Sequence, residues 1–182
     1  IASALVKLDV SYNRLASIDC LTAKLVPVLH ELHASNNQLT SVTLALPHLA
    51  VIALSSNRLT VLPDFRECPS IRDLMLRRNQ IGHHPGSCQG LGGIPALRKL
   101  DLSRNGIDIP PSLLYSYILG PCRSLPSLVS LDLRGNPITT HFPQYQVFAC
   151  AGLEALRVLD GARVDNYVKR KAALEVGRRL DQ

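Results

Sequence analysis

Apolar and polar positions follow one short register that recurs six times along the chain: LVKLDVSYNRL from Leu5, LHELHASNNQL from Leu29, LAVIALSSNRL from Leu49, IRDLMLRRNQI from Ile71, LRKLDLSRNGI from Leu97 and LVSLDLRGNPI from Leu128. The first, fourth, sixth and eleventh positions are apolar (Ala34 the small exception at the sixth), and the ninth is always asparagine. The asparagines are Asn13, Asn37, Asn57, Asn79, Asn105 and Asn136, at intervals of 24, 20, 22, 26 and 31 residues. Around the fourth to sixth positions apolar and polar residues alternate with period two, as in a strand with one buried face. Inward columns therefore stack from repeat to repeat, with Leu8, Leu32, Ile52, Leu74, Leu100 and Leu131 forming the fourth-position column. Each repeat buries little alone, so stability requires stacked neighbours and covered ends.

The pattern LxxLxLxxNxL identifies an α/β leucine-rich-repeat solenoid, a right-handed horseshoe of six repeats with a concave parallel sheet and a C-terminal helical cap. The asparagine stands where the chain leaves the strand. There its amide can satisfy backbone groups that would otherwise be buried unpaired, which gives the six asparagines a structural role. The expected organisation is repeats over 1–139, a cap over 140–165 and a basic C-terminal helix over 166–182.

Two intervals carry insertions. GHHPGSCQGLGGIP reads as a mobile glycine-rich loop. Its His83, His84 and Cys88 lack a second ligand pair at metal-binding spacing, so no metal and no cofactor is expected. DIPPSLLYSYILGPC reads as a convex-side helix that starts at Pro110–Pro111 and stops at Gly120–Pro121, with Tyr115 and Tyr117 on its surface. Asn166 to Leu180 reads as a basic helix that seals the last repeat with Val168, Ala172 and Val176.

The cap residues Tyr145, Val147, Leu153, Leu156, Val158, Leu159, Asp160 and Val164 resemble the cap of the SDS22-like leucine-rich-repeat family. Members of that family include a phosphatase-1 regulator, the spliceosomal U2 A-prime protein and axonemal dynein light chain 1. The resemblance implies a protein-interaction scaffold, and the LRVLDGARV ending is similar to ciliary and flagellar members. The expected setting is a cytoskeletal or axonemal assembly inside the cell, with the nucleus as the alternative. A U2 A-prime-like ribonucleoprotein subunit and a phosphatase-1 regulator are the other readings.

Composition refines this picture in three ways. Only 4% of residues are aromatic and Trp is absent, so the core is regular layers of Leu, Val, Ile and Ala. The net charge of +6 rests on fifteen Arg and five Lys against fourteen acids, which permits an acidic partner without selecting one. Five scattered cysteines without a CxxC pair, and no N-x-S/T site, favour a reducing compartment over disulfide-closed ends. No apolar stretch is long enough to span a bilayer, and the first residues lack a basic leader.

No phosphate-cradling glycine loop, GxSxG elbow or zinc signature is present, so no enzyme is expected. Asp9 and His33 occupy equivalent outward positions on neighbouring strands and read as a surface ion pair. The candidate protein-binding face is the concave one, through His33, Val51, Ala53, Met75, Arg77, Asp101, Arg104, Asp132 and Arg134. RNA is the less favoured partner, because Tyr12 is the lone aromatic on this face and bases need stacking platforms.

Overall fold

A computed structural model describes residues 4–82 and 87–180. Eight short strands form one sheet in chain order: β1 (Lys7–Asp9), β2 (Glu31–His33), β3 (Val51–Ala53), β4 (Asp73–Met75), β5 (Lys99–Asp101), β6 (Ser130–Asp132), β7 (Val158–Leu159) and β8 (Ala162–Arg163). The first seven run parallel, and β8 returns antiparallel on β7. The register sets Leu8, Leu32, Ile52, Leu74, Leu100, Leu131 and Leu159 side by side, so the fourth-position column continues into the cap. From Leu29 onward the first-, fourth- and sixth-position columns are all buried. Equivalent positions superpose because every parallel strand must cross back through its own repeat before pairing.

The asparagines join repeats as well as closing turns. Asn79 Oδ1 accepts the Leu59 N–H at 3.0 Å, while its Nδ2 donates to the Leu54 and Leu76 carbonyls at 3.0 and 2.9 Å. Asn37, Asn57 and Asn105 repeat this arrangement, each taking one N–H and giving to sixth-position carbonyls of two repeats. Asn136 accepts from both Asn105 and Ile107. Among the described residues Asn13 donates within its own repeat, to the Val10 and Ser11 carbonyls. Asn79→Ala is expected to lower stability by roughly 1–3 kcal/mol, because it leaves buried backbone groups unpaired. Chemical denaturation measures it, and an unchanged midpoint would rule out a structural bridge.

The residue before each asparagine adopts a left-handed backbone. Tyr12, Asn36, Ser56, Arg78 and Arg104 have φ between 56° and 58°, and Gly135 completes the series at 72°. This conformation is unfavourable for most L-residues and easiest for Gly, Asn and Asp.

Both insertions differ from the sequence expectation. The described part of the glycine-rich insertion, from Ser87, is packed rather than loose: Gln89–Gly93 forms a 3-10 helix, and Cys88, Leu91 and Ile94 are buried. Its glycines reflect close approach to the preceding repeat. A Cβ on Gly90 would stand 2.8 Å from the Pro63 carbonyl oxygen, and one on Gly93 would stand 2.5 Å from Arg66 Cγ. His83 and His84 lie outside the described residues. Burial pushes the Cys88 thiol up to about 11, far from a metal-ready thiolate. Among the described residues no cluster of metal-ligating side chains occurs.

The second insertion does not stop at Gly120–Pro121. A 3-10 turn (Pro111–Leu113) and a π-helical turn (Tyr115–Leu119) lead directly into α1 (Gly120–Arg123). Pro121 falls within the first turn of α1, where its missing N–H costs nothing. Tyr117 packs against the core, whereas Tyr115 stays 55% exposed and donates nothing to it: its hydroxyl accepts from Arg123 at 2.8 Å.

After β6 come α2 (Pro137–His141), α3 (Tyr145–Gly152), the β7–β8 hairpin and α4 (Asn166–Leu180), which packs on α3. Ala172 is buried in α4, while Val168 remains 36% exposed. No helix among the described residues is long and apolar enough to cross a membrane.

Candidate functional site

Side chains at the third and fifth strand positions point away from the core onto the open face of the sheet. Lys7, Glu31, Val51, Asp73, Lys99, Ser130 and Val158 align across it in one row, and Asp9, His33, Ala53, Met75, Asp101 and Asp132 in the other. The third-position charges pair along their row, Lys7 with Glu31 at 3.0 Å and Lys99 with Asp73 at 3.2 Å. Exposed pairs of this kind contribute little stability, but they neutralise the face on either side of Val51, Ala53 and Met75. Val51 and Met75 are half-buried and Ala53 is buried.

His33 and Asp9 are aligned in register, yet the ion pair runs elsewhere. His33 Nε2 lies 3.6 Å from Glu31 Oε2, and Asp9 instead accepts the Ser11 N–H at 2.9 Å. Donation from Lys7, with His33 close by, holds the Glu31 carboxyl below its ordinary range. The 3.6 Å separation is too long for a good hydrogen bond, and His33 Nε2 is enclosed without a hydrogen-bond partner among the described residues.

The cap end is built differently. Arg134 clasps Asp132 through Nε at 3.0 Å and through Nη2. Burial pushes the Asp132 carboxyl up, but donation from the Arg134 side chain and backbone, with Arg77 nearby, outweighs it and leaves the group below its ordinary range. Asp101 accepts the Ser103 N–H at 2.8 Å, and the Ser103 hydroxyl is buried without a partner among the described residues.

Arg104 and Arg134 both lie over glycines. A Cβ on Gly135 would stand 2.9 Å from Arg104 Cγ, and one on Gly161 would stand 3.2 Å from Arg134 Nη1. Asp160 and Gly161 both have positive φ, 55° and 81°, and form the two-residue turn of the β7–β8 hairpin.

Asp160 does more than turn the chain. In the five earlier repeats the sixth-position N–H donates to a fifth-position carbonyl of the next repeat, as Leu102 does to Asp132 at 2.9 Å. Leu133 has no such carbonyl, and its N–H donates at 2.7 Å to Asp160 Oδ1. The buried Tyr145 hydroxyl donates to the other carboxylate oxygen. A side chain thus ends a backbone ladder. The Asp-Gly pair was the available sequence signal for this hairpin, but nothing in the pattern announced the Asp160–Leu133 bond.

A leucine rich repeat family profile matches residues 47–107, and a second leucine rich repeat profile matches residues 127–145. The chain carries leucine-rich repeats and folds as a leucine-rich-repeat solenoid. It is 37% identical over 110 residues to mouse Leucine-rich repeat-containing protein 36, covering 60% of this chain and 13% of that protein. It is 32% identical over 169 residues to rat Tsukushi, covering 87% of this chain and 44% of that one. It is 37% identical over 87 residues to Dynein axonemal assembly factor 1 of Peromyscus californicus, covering 48% of this chain and 13% of that one. The chain therefore spans less than half the length of these relatives. Among solved structures, the Drosophila melanogaster SNF/U2A′ complex aligns with a TM-score of 0.56 at 20% identity, over 92% of this chain and 79% of that one. That likeness concerns the fold.

Proposed function

We propose that this leucine-rich-repeat solenoid is a non-catalytic scaffold whose concave sheet holds a segment of another protein. The observation that carries the reading is the apolar strip of Val51, Ala53 and Met75, flanked by charges already paired along their own row. An apolar centre within a polar rim is how protein interfaces are built. The partner lies across β2 to β6, touching His33 at one edge, Met75 at the centre and Arg77, Asp101, Arg104, Asp132 and Arg134 toward the cap. No residue in this set belongs to the inward columns, so the repeat template leaves them available for binding.

The finer reading is an SDS22-like subunit of a cytoskeletal or axonemal assembly, in the cytoplasm or a cilium. Its supports are the Asp160–Gly161 cap and the similarity to Dynein axonemal assembly factor 1. Cys68, Cys88, Cys122 and Cys150 are buried free thiols, in keeping with a reducing compartment. Affinity capture from ciliated-cell extract, at low and high salt and with nuclease, tests both levels. A protein retained after nuclease treatment is expected, with axonemal proteins in the retained fraction. Recovery that disappears with nuclease would favour a ribonucleoprotein subunit instead.

A further inference from the structure

We propose that the arginine edge of the fourth and fifth repeats, made by Arg77, Arg78 and Arg104, receives an acidic segment of the partner, rich in Asp and Glu. The inference rests on the concave-face reading and names the chemistry of what binds there.

Several cations around the sheet already have carboxylates. Lys7, Lys99 and Arg134 pair with Glu31, Asp73 and Asp132, and Arg66 on the loop side pairs with Asp64. Among the described residues Arg77, Arg78 and Arg104 have no ion-pair partner, although Asp132 lies near enough to Arg77 to feel its charge. The three stand at the seventh and eighth positions of two adjacent repeats, where the Arg78 N–H donates to the Ser103 carbonyl at 3.0 Å, so their unpaired charges adjoin where the strands turn outward.

Backbone geometry points the same way. Arg78 and Arg104 occupy successive turn positions at φ 56°, a conformation that Gly, Asn or Asp would adopt more readily. Long charged side chains held in an uncommon backbone conformation are grounds for a functional hypothesis. Gly135 lacks the side chain that would meet Arg104, so the Arg104 stem lies closely across the backbone of the next repeat. The Ser103 hydroxyl stands between Arg77 and Arg134 in the seventh-position row, buried and without a partner among the described residues.

Guanidinium groups bind carboxylates through paired, parallel N–H donors. Phosphate would satisfy the same donors, but a nucleic-acid strand also needs stacking surfaces. Tyr12, 82% exposed in the first repeat, is far along the sheet from this edge. An acidic protein segment satisfies the arginines without them.

The test is fluorescence anisotropy of the full 182-residue chain with a labelled Asp/Glu-rich peptide, a Gln/Ser peptide of equal length and an oligouridine. The acidic peptide is expected to bind, to weaken as salt rises, and to lose about tenfold or more in affinity with the double variant Arg78→Glu, Arg104→Glu. The milder Arg104→Ala, with circular dichroism as a folding control, is expected to lose less. Arg170→Glu with Arg178→Glu on α4 is expected to leave affinity within about twofold. Equal loss from the α4 variant, tighter binding of oligouridine with the same arginine dependence, or no binding of the acidic peptide would each overturn the proposal. Failure here, with partner capture still lost on Met75→Glu, rejects the acidic edge and leaves the concave-face reading standing.

Discussion

A chain ending at Thr139 is expected to aggregate or unfold rather than to persist as a shorter monomeric solenoid. Truncation removes β7, whose backbone pairs with β6. The Arg157 and Val158 N–H groups donate to the Val129 carbonyl at 2.8 and 2.9 Å, and the Asp160 N–H donates to Leu131 at 2.9 Å. It also strips Leu159 from Leu131 and takes Asp160 Oδ1 from the Leu133 N–H. Leu131, Leu133 and Ile138, all fully buried, would form the new apolar end. Returning each large apolar side chain to water costs about 1.5–3 kcal/mol, a large part of the ~5–15 kcal/mol that holds a domain together. The remaining edge strand would also offer unpaired backbone groups to other chains. Sedimentation and thermal melting measure the outcome, and a monomer with an unchanged melting temperature would contradict the cap assignment. A narrower version is Asp160→Ala, expected to cost about 1–3 kcal/mol by leaving the Leu133 N–H and the Tyr145 hydroxyl without their acceptor.

Replacing Met75 with Glu is expected to weaken partner binding by about 2 kcal/mol or more, the scale of an interface hot spot. Met75 is half-buried on β4, aligned with Ala53 on one side and Asp101 on the other. A carboxylate there would sit beside Asp101 and would lose its water when a partner covers the strip. Because Met75 points away from the core, the fold should tolerate the change, and a denaturation midpoint near wild type separates lost binding from lost structure. The comparison is Tyr115→Ala on the convex side. Tyr115 is the better choice there than Tyr117, because Tyr117 packs on the core and its removal would confuse packing with binding. Wild-type capture by the Met75 variant, with loss in the Tyr115 variant, would move the binding surface to the convex side.

The sequence by itself determined whatever depends on local period. Alternation at period two placed Leu32, Ile52, Leu74, Leu100 and Leu131 inward and His33, Ala53, Met75, Asp101 and Asp132 outward, because consecutive strand side chains must face opposite ways. The Asn-centred register fixed where each repeat turns, and the final amphipathic run from Asn166 to Leu180 is one helix in the structure. Only the tertiary structure decided which groups meet across repeats. Gly90 and Gly93 read as loop glycines until Pro63 and Arg66 were found where their side chains would have been. His33 shares its row with Asp9, yet its Nε2 stands toward Glu31. Asp160 closes the ladder by accepting from Leu133, 27 residues earlier, and no local pattern encodes a bond of that span. Periodicity constrains the direction of a side chain, whereas hydrogen-bond partners and close approaches depend on distances set by the stacking of whole repeats.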